Sequence, residues 1–105
     1  MYAGSCAIAA GIRPAWEVPD PRALEVTMTV RRAGETAFHG AISTGSLHRS
    51  LGDLVGYLFR GQPYPDGAVL ATGTGIVPET DFTLLPGDVV DIGIAGVARL
   101  VTPVR

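Results

Sequence analysis

Three observations predict a mainly β fold carrying one α-helix. Fourteen glycines and eight prolines among 105 residues divide the chain into short segments joined by turns, which suits strands better than a helix bundle. Residues 23–31 alternate: Leu24, Val26, Met28 and Val30 face one way, and Glu25, Thr27, Thr29 and Arg31 the other, the period of a half-buried strand. Leu47, Leu51, Leu54, Val55 and Leu58 instead recur at helical spacing and make one apolar stripe.

In chain order, residues 1–20 lack a period and are punctuated by Gly4, Gly11, Pro14 and Pro19, so loop and irregular structure are expected there. The alternating strand follows, then a turn over Arg32-Ala33-Gly34-Glu35 with Gly34 left-handed, and a return strand over residues 36–42. A lone hairpin is marginal in water, so its apolar face needs a cover.

Ser43-Thr44-Gly45-Ser46 reads as a helix start, because Ser and Thr side chains cap free N–H groups. Gly52 and Gly56 each lower helix propensity by about 1 kcal/mol, so packing has to hold this helix. Arg60-Gly61 reads as its end, with the glycine at the C′ position.

Residues 65–94 organise the rest of the chain. Asp66-Gly67 is a turn, and residues 68–71 are a continuous apolar run that predicts a short strand buried on both faces. The run empties into Thr72-Gly73-Thr74-Gly75, where two hydroxyls alternate with residues that let backbone N–H groups approach a ligand. Pro86-Gly87 turns the chain again, and DVVDIGI and VARLVTPV form a closing hairpin around Ala95-Gly96.

Composition excludes several function classes. A net charge of −2 gives no electrostatic reason to expect nucleic acid or an anionic membrane as partner. No window approaches the ~20 apolar residues of a membrane span, and the start lacks a basic leader region, so a cytoplasmic protein is expected. The single cysteine, Cys6, cannot form an internal disulfide and reads as a small apolar core residue. His39 and His48, placed in a strand and in the helix's first turn, have no partner at metal-ligand spacing. Ser46, His48 and Asp53 crowd one helix too closely to act as a triad, and no G-x-S-x-G elbow is present. TGTG followed by Pro78 is no dinucleotide fingerprint. Thr74, flanked by Thr72, Gly73 and Gly75, remains as a neutral donor suited to holding an oxygen of a ligand.

The string ATGTGIVPETDFTLLPGDVVDIGIAGVARLVTPV, with ISTGSLHRSLGDLVGYLF before it, resembles the closing part of the fumarylacetoacetate hydrolase catalytic domain. The TGTGIVP spelling is most similar to the 2-keto-3-deoxy sugar-acid dehydratase branch. The resemblance spans essentially residues 2–104 and implies a single partial domain over residues 1–105, cut from a larger mixed β-roll. It implies that the second threonine of the loop contacts a keto-acid substrate, with Thr72, Gly73 and Tyr2 beside it, and it assigns no catalytic residue to this chain. A complete member of the family uses Mg²⁺ or Mn²⁺, held through a glutamate pair and an aspartate in an earlier segment; no Glu-x-Glu occurs here, so no metal is expected on residues of this chain. Leu-Gly-Pro of the family is Ile8-Ala9-Ala10 here, and the lysine that accompanies the tyrosine is absent. The expected role is therefore the substrate wall of a metal-dependent hydrolase or dehydratase of keto acids, in a truncated or split enzyme whose partner is a complementary N-terminal half or a second copy. A non-catalytic remnant or assembly module is the alternative.

Overall fold

In a computed structural model, which describes residues 4–105, four strands form one sheet. β1 (Glu25–Arg32) and β2 (Glu35–Ser43) make the first hairpin, and β3 (Val89–Ile94) and β4 (Ala98–Pro103) the second. The sheet order is β2-β1-β3-β4, and each neighbouring pair is antiparallel. α1 (Leu51–Gly61) lies in the long connection between the hairpins. The mainly β class with one helix is what the structure shows.

The alternation read from the sequence fixes the two faces of the sheet. Val26 lies between Ile42 and Ile94, Met28 between Gly40 and Ile92, and Val30 between Phe38 and Val90. These residues make an apolar face. Thr29, His39 and Asp91 align on the other face, which is polar: Thr29 Oγ1 and His39 Nδ1 are 2.9 Å apart. Asp91 accepts from Arg99 Nε at 2.7 Å and lies 3.9 Å from Arg31. Arg99 first, and then the more distant Arg31, hold the Asp91 carboxyl below its ordinary range against the opposing effect of burial.

The first hairpin turns through Ala33 (φ 50°) and Gly34 (φ 81°). Two successive left-handed residues match the right-handed twist of the flanking strands. A register shift at Val30/Arg31 leaves Ala37 as the extra residue of a bulge, since Val30 faces Phe38 and Arg31 faces Thr36.

Residues 72–85 cross the apolar face. Ile76, 8% exposed, is seated over Gly40, and Phe82 meets Phe38 with ring centroids 5.6 Å apart. The turn over Pro86-Gly87 closes with Asp88 N–H donating to Leu85 O at 3.0 Å. Asp88 is then 1% exposed and accepts from Arg32 Nε and Nη2, both at 2.8 Å, and from Leu85 N–H at 2.9 Å.

Several local readings are corrected. Residues 68–71 form no strand, and Val69 is 80% exposed; the run is apolar enough for a buried strand, but no described strand lies beside it. α1 begins at Leu51, capped by Ser50 Oγ accepting from Asp53 N–H at 3.0 Å, rather than at Ser43. Thr44–Ser46 is a single 3-10 turn instead, with Ser43 Oγ accepting from Gly45 N–H at 3.1 Å. The physical reason lies in Arg22, whose guanidinium takes the carbonyls of Gly45, Leu47 and Arg49 at 3.4, 2.8 and 3.2 Å. A continuous helix would have used those same carbonyls for its own N–H groups. Gly61 is the last helical residue, not the C′ residue, and Gln62 continues extended. Cys6 is exposed, not part of a core.

The core is thin. Among the described residues only Val30, Ile76 and Asp88 are buried. The chain exposes 8155 Å², whereas a compact monomer of 10.9 kDa exposes about 5,600 Å². The radius of gyration is 15.4 Å, against about 13 Å for a compact domain of this length. Trp16 and Ile12 are 88% and 94% exposed, and substantial packing between elements is confined to neighbouring strands, so the sheet gives the stripe of α1 little cover.

Candidate functional site

A cleft of about 380 Å³ opens at the end of the apolar face nearest the start of β1. Its floor is Val26, Ile42 and Ile94, adjacent in the sheet register. Thr72, Gly73, Thr74 and Gly75 border it on one side, and the segment from Ser43 to His48 borders it on another.

The threonine-glycine loop reaches the cleft because Gly75 has no side chain. A Cβ there would overlap Ile42 Cδ1, so the missing atom lets the loop lie directly on the floor. Gly73 is left-handed (φ 92°). Thr74 Oγ1 accepts from Ile76 N–H at 3.1 Å, a local turn that fixes the hydroxyl two residues before the anchoring isoleucine. Its contact with Ile76 O is long, 3.4 Å. A hydroxyl carries one donor and two acceptor positions, so this geometry keeps the Thr74 proton able to turn toward a ligand.

The opposite wall is held from several directions. Thr44 N–H donates to Leu24 O at 2.8 Å, Leu24 N–H donates to Thr44 Oγ1 at 3.0 Å, and Thr44 Oγ1 donates to Pro21 O at 2.8 Å. Asp20 Oδ1 accepts from Arg22 N–H at 2.9 Å, and the Arg22 guanidinium gathers the three carbonyls of the wall. The turn at Asp20 thus sets where Thr44, Ser46 and His48 stand.

Thr72, Gly73 and Thr74, singled out in the sequence, therefore border one cleft; Tyr2 lies outside the described residues. Sequence reasoning did not find the Ser43–His48 wall, because His48 was placed inside a helix. The signal was present: Ser43 and Ser50 are both cap residues, and two caps so close cannot start one helix.

The described residues of this chain do not fit a divalent cation. No three His, Cys, Asp or Glu side chains converge among the described residues, no carboxylate lines the cleft, and Asp88 and Asp91 are both taken by guanidinium groups. What the cleft offers is a set of neutral hydroxyls and one imidazole, His48, over an apolar floor, suited to binding and orienting a small oxygen-rich molecule. No described helix is long and apolar enough to cross a membrane.

Comparison with known proteins places these features in context. A family model described as fumarylacetoacetate (FAA) hydrolase C-terminal matches residues 1–105. A 2-dehydro-3-deoxy-D-arabinonate dehydratase of Saccharolobus solfataricus is 38% identical over 105 residues, covering 100% of this chain and 35% of its own length. A probable 2-keto-3-deoxyxylonate dehydratase of Haloferax volcanii is 40% identical over 100 residues, covering 95% and 35%. Among solved structures, a hexagonal crystal form of 2-keto-3-deoxyarabinonate dehydratase superposes with a TM-score of 0.95 at 38% identity, over 100% of this chain and 36% of that one. A 2-keto-3-deoxy-D-arabinonate dehydratase complexed with magnesium and 2,5-dioxopentanoate gives 0.93 at 38% identity, over 97% and 36%. The chain thus spans about a third of the length of the curated relatives it matches.

Proposed function

The chain belongs to the fumarylacetoacetate hydrolase family, and from that premise we propose that it supplies the substrate-holding wall of a keto-acid dehydratase of the 2-keto-3-deoxy sugar-acid type. The observation that carries this reading is the cleft in which Thr72, Gly73 and Thr74 lie over the Val26–Ile42–Ile94 floor. The Thr74 hydroxyl donates to an oxygen of the 2-oxo acid while its lone pair stays on Ile76 N–H. That role is positioning, since a threonine hydroxyl does not ionise near neutral pH and so is no acid or base there. The similarity of 38% to a dehydratase that binds magnesium and 2,5-dioxopentanoate supports the substrate class.

The divalent cation of such an enzyme is held, in this reading, by residues beyond this chain, because no three metal-ligating side chains converge among the described residues and no described carboxylate lines the cleft. The cation would polarise the 2-oxo group when bound; this chain's part is to orient the acid and exclude water on the apolar floor.

Thr74→Val tests the reading in the assembly in which the chain is active. Loss of one hydrogen bond to a charged or polarised ligand group costs roughly 1.5–3 kcal/mol, so kcat/KM for a 2-keto-3-deoxy acid falls about tenfold to a hundredfold with the fold intact. An unchanged kcat/KM removes the loop from the site.

A further inference from the structure

Of the described residues bordering the cleft, His48 alone can carry a charge. It is exposed and belongs to no regular element, and the backbone around it is held on both sides. Arg22 holds the carbonyl before it, Leu47 O, at 2.8 Å and the one after it, Arg49 O, at 3.2 Å. Ser50 caps the helix that follows. A loop fixed at both flanks of one side chain presents that side chain in a defined place, which is the arrangement a recognition residue requires.

We propose that His48 is a further recognition residue of the cleft, which in its cationic form donates to the carboxylate of a small 2-oxo acid. The inference rests on the keto-acid reading above and deepens it by naming what distinguishes an acid from a neutral analogue. The threonine loop offers neutral hydroxyls only, which bind an oxygen of either kind. A carboxylate moved from water into a cleft floored by Val26, Ile42 and Ile94 loses hydration that hydroxyls alone do not replace, and a charge-assisted hydrogen bond compensates best. The neighbouring cations are committed elsewhere: Arg22 to the wall carbonyls, and Arg49 to the Tyr57 ring 5.7 Å away on α1. No described carboxylate lines the cleft to compete for the imidazolium.

The test compares 2-oxopentanoate with its neutral amide, 2-oxopentanamide, by NMR titration near pH 6, using the chain in the assembly in which it purifies. Histidine is the side chain whose charge ordinarily changes between pH 5 and 8. The expected result is that wild type prefers the acid and that His48→Gln reduces this preference about tenfold or more, leaving amide affinity as it was. His48→Lys restores the preference. If binding depends on Thr74 but the preference survives in His48→Gln, the inference falls and the keto-acid reading stands. If neither probe binds, or if Thr74→Val leaves acid and amide binding unchanged, that reading falls and takes the inference with it.

Discussion

Ile76 occupies the space that a side chain on Gly40 would need: a Cβ there would stand 2.6 Å from Ile76 Cγ2 and 3.3 Å from the Phe38 ring. One residue earlier in the loop the relation is reversed, with Gly75 bare and Ile42 filling the gap. Two glycine–isoleucine contacts, one in each direction, thus seat the Thr-Gly loop on the sheet.

These two glycines predict different outcomes. Neither is in the left-handed region, so alanine costs packing and not backbone strain. In Gly40→Ala the new methyl meets a branched, buried side chain backed by Phe38, and urea unfolding should show a loss of about 1–3 kcal/mol. In Gly75→Ala the obstacle is Cδ1, the free end of Ile42, which rotates aside into the cleft. Gly75→Ala should therefore weaken ligand affinity more than stability. Equal stability losses for the two variants would contradict this seating of the loop.

The Arg32–Asp88 pair makes stability depend on pH at the acid end. Arg32 first, then the Leu85 N–H, lower the Asp88 carboxyl from 3.8 to about 2, against the opposing effect of its burial. A folded-state value below the unfolded one means the contribution is complete above about pH 4 and is lost as pH falls toward about 2. Asp88→Asn should be less stable than wild type at pH 7, and the gap should close between pH 4 and pH 2 in urea melts. A gap that is constant with pH would mean that the pair contributes no proton linkage.

The exposed area predicts association. The chain shows about 2,500 Å² more surface than a compact monomer of its mass, an area in the range that obligate interfaces bury. Both outer strands, β2 and β4, have free edges within the described sheet. Purified alone, the chain should sediment above its monomer mass or melt at a temperature that rises with protein concentration. A sharp, concentration-independent melt of a monomer would show that the sheet needs no cover.

The strands were legible because their signals are local. Val26, Met28 and Val30 alternate with threonines, and Gly34, Gly87 and Gly96 mark turns that the structure forms, all three left-handed. Signals that depend on distant partners were not legible. The apolar run at residues 68–71 promised a strand, but strand formation needs a neighbour that sequence pattern does not supply. The stretch before α1 has helical spacing, and Arg22, more than twenty residues earlier, takes away its carbonyls. Asp88 looked like a turn residue and is also the buried partner of an arginine 56 positions away. The Thr72–Thr74 loop was visible in the sequence, and its facing wall was hidden by the same misplaced helix start.

The sheet order β2-β1-β3-β4 also governs how the chain reaches its native pairing. Each half of the sheet is a hairpin with a turn of a few residues, and such units form on the microsecond scale. The central seam, β1 against β3, instead joins segments separated by all of residues 33–88. Closing a connection of that length costs roughly 2–3 kcal/mol more entropy than closing a hairpin turn, and contacts of high sequence separation slow folding. The Arg32–Asp88 pair sits at the end of that seam. The pair therefore ties together the two ends of that long connection, so Arg32→Ala should slow closure of the seam more than formation of either hairpin if the pair is made in the folding transition state.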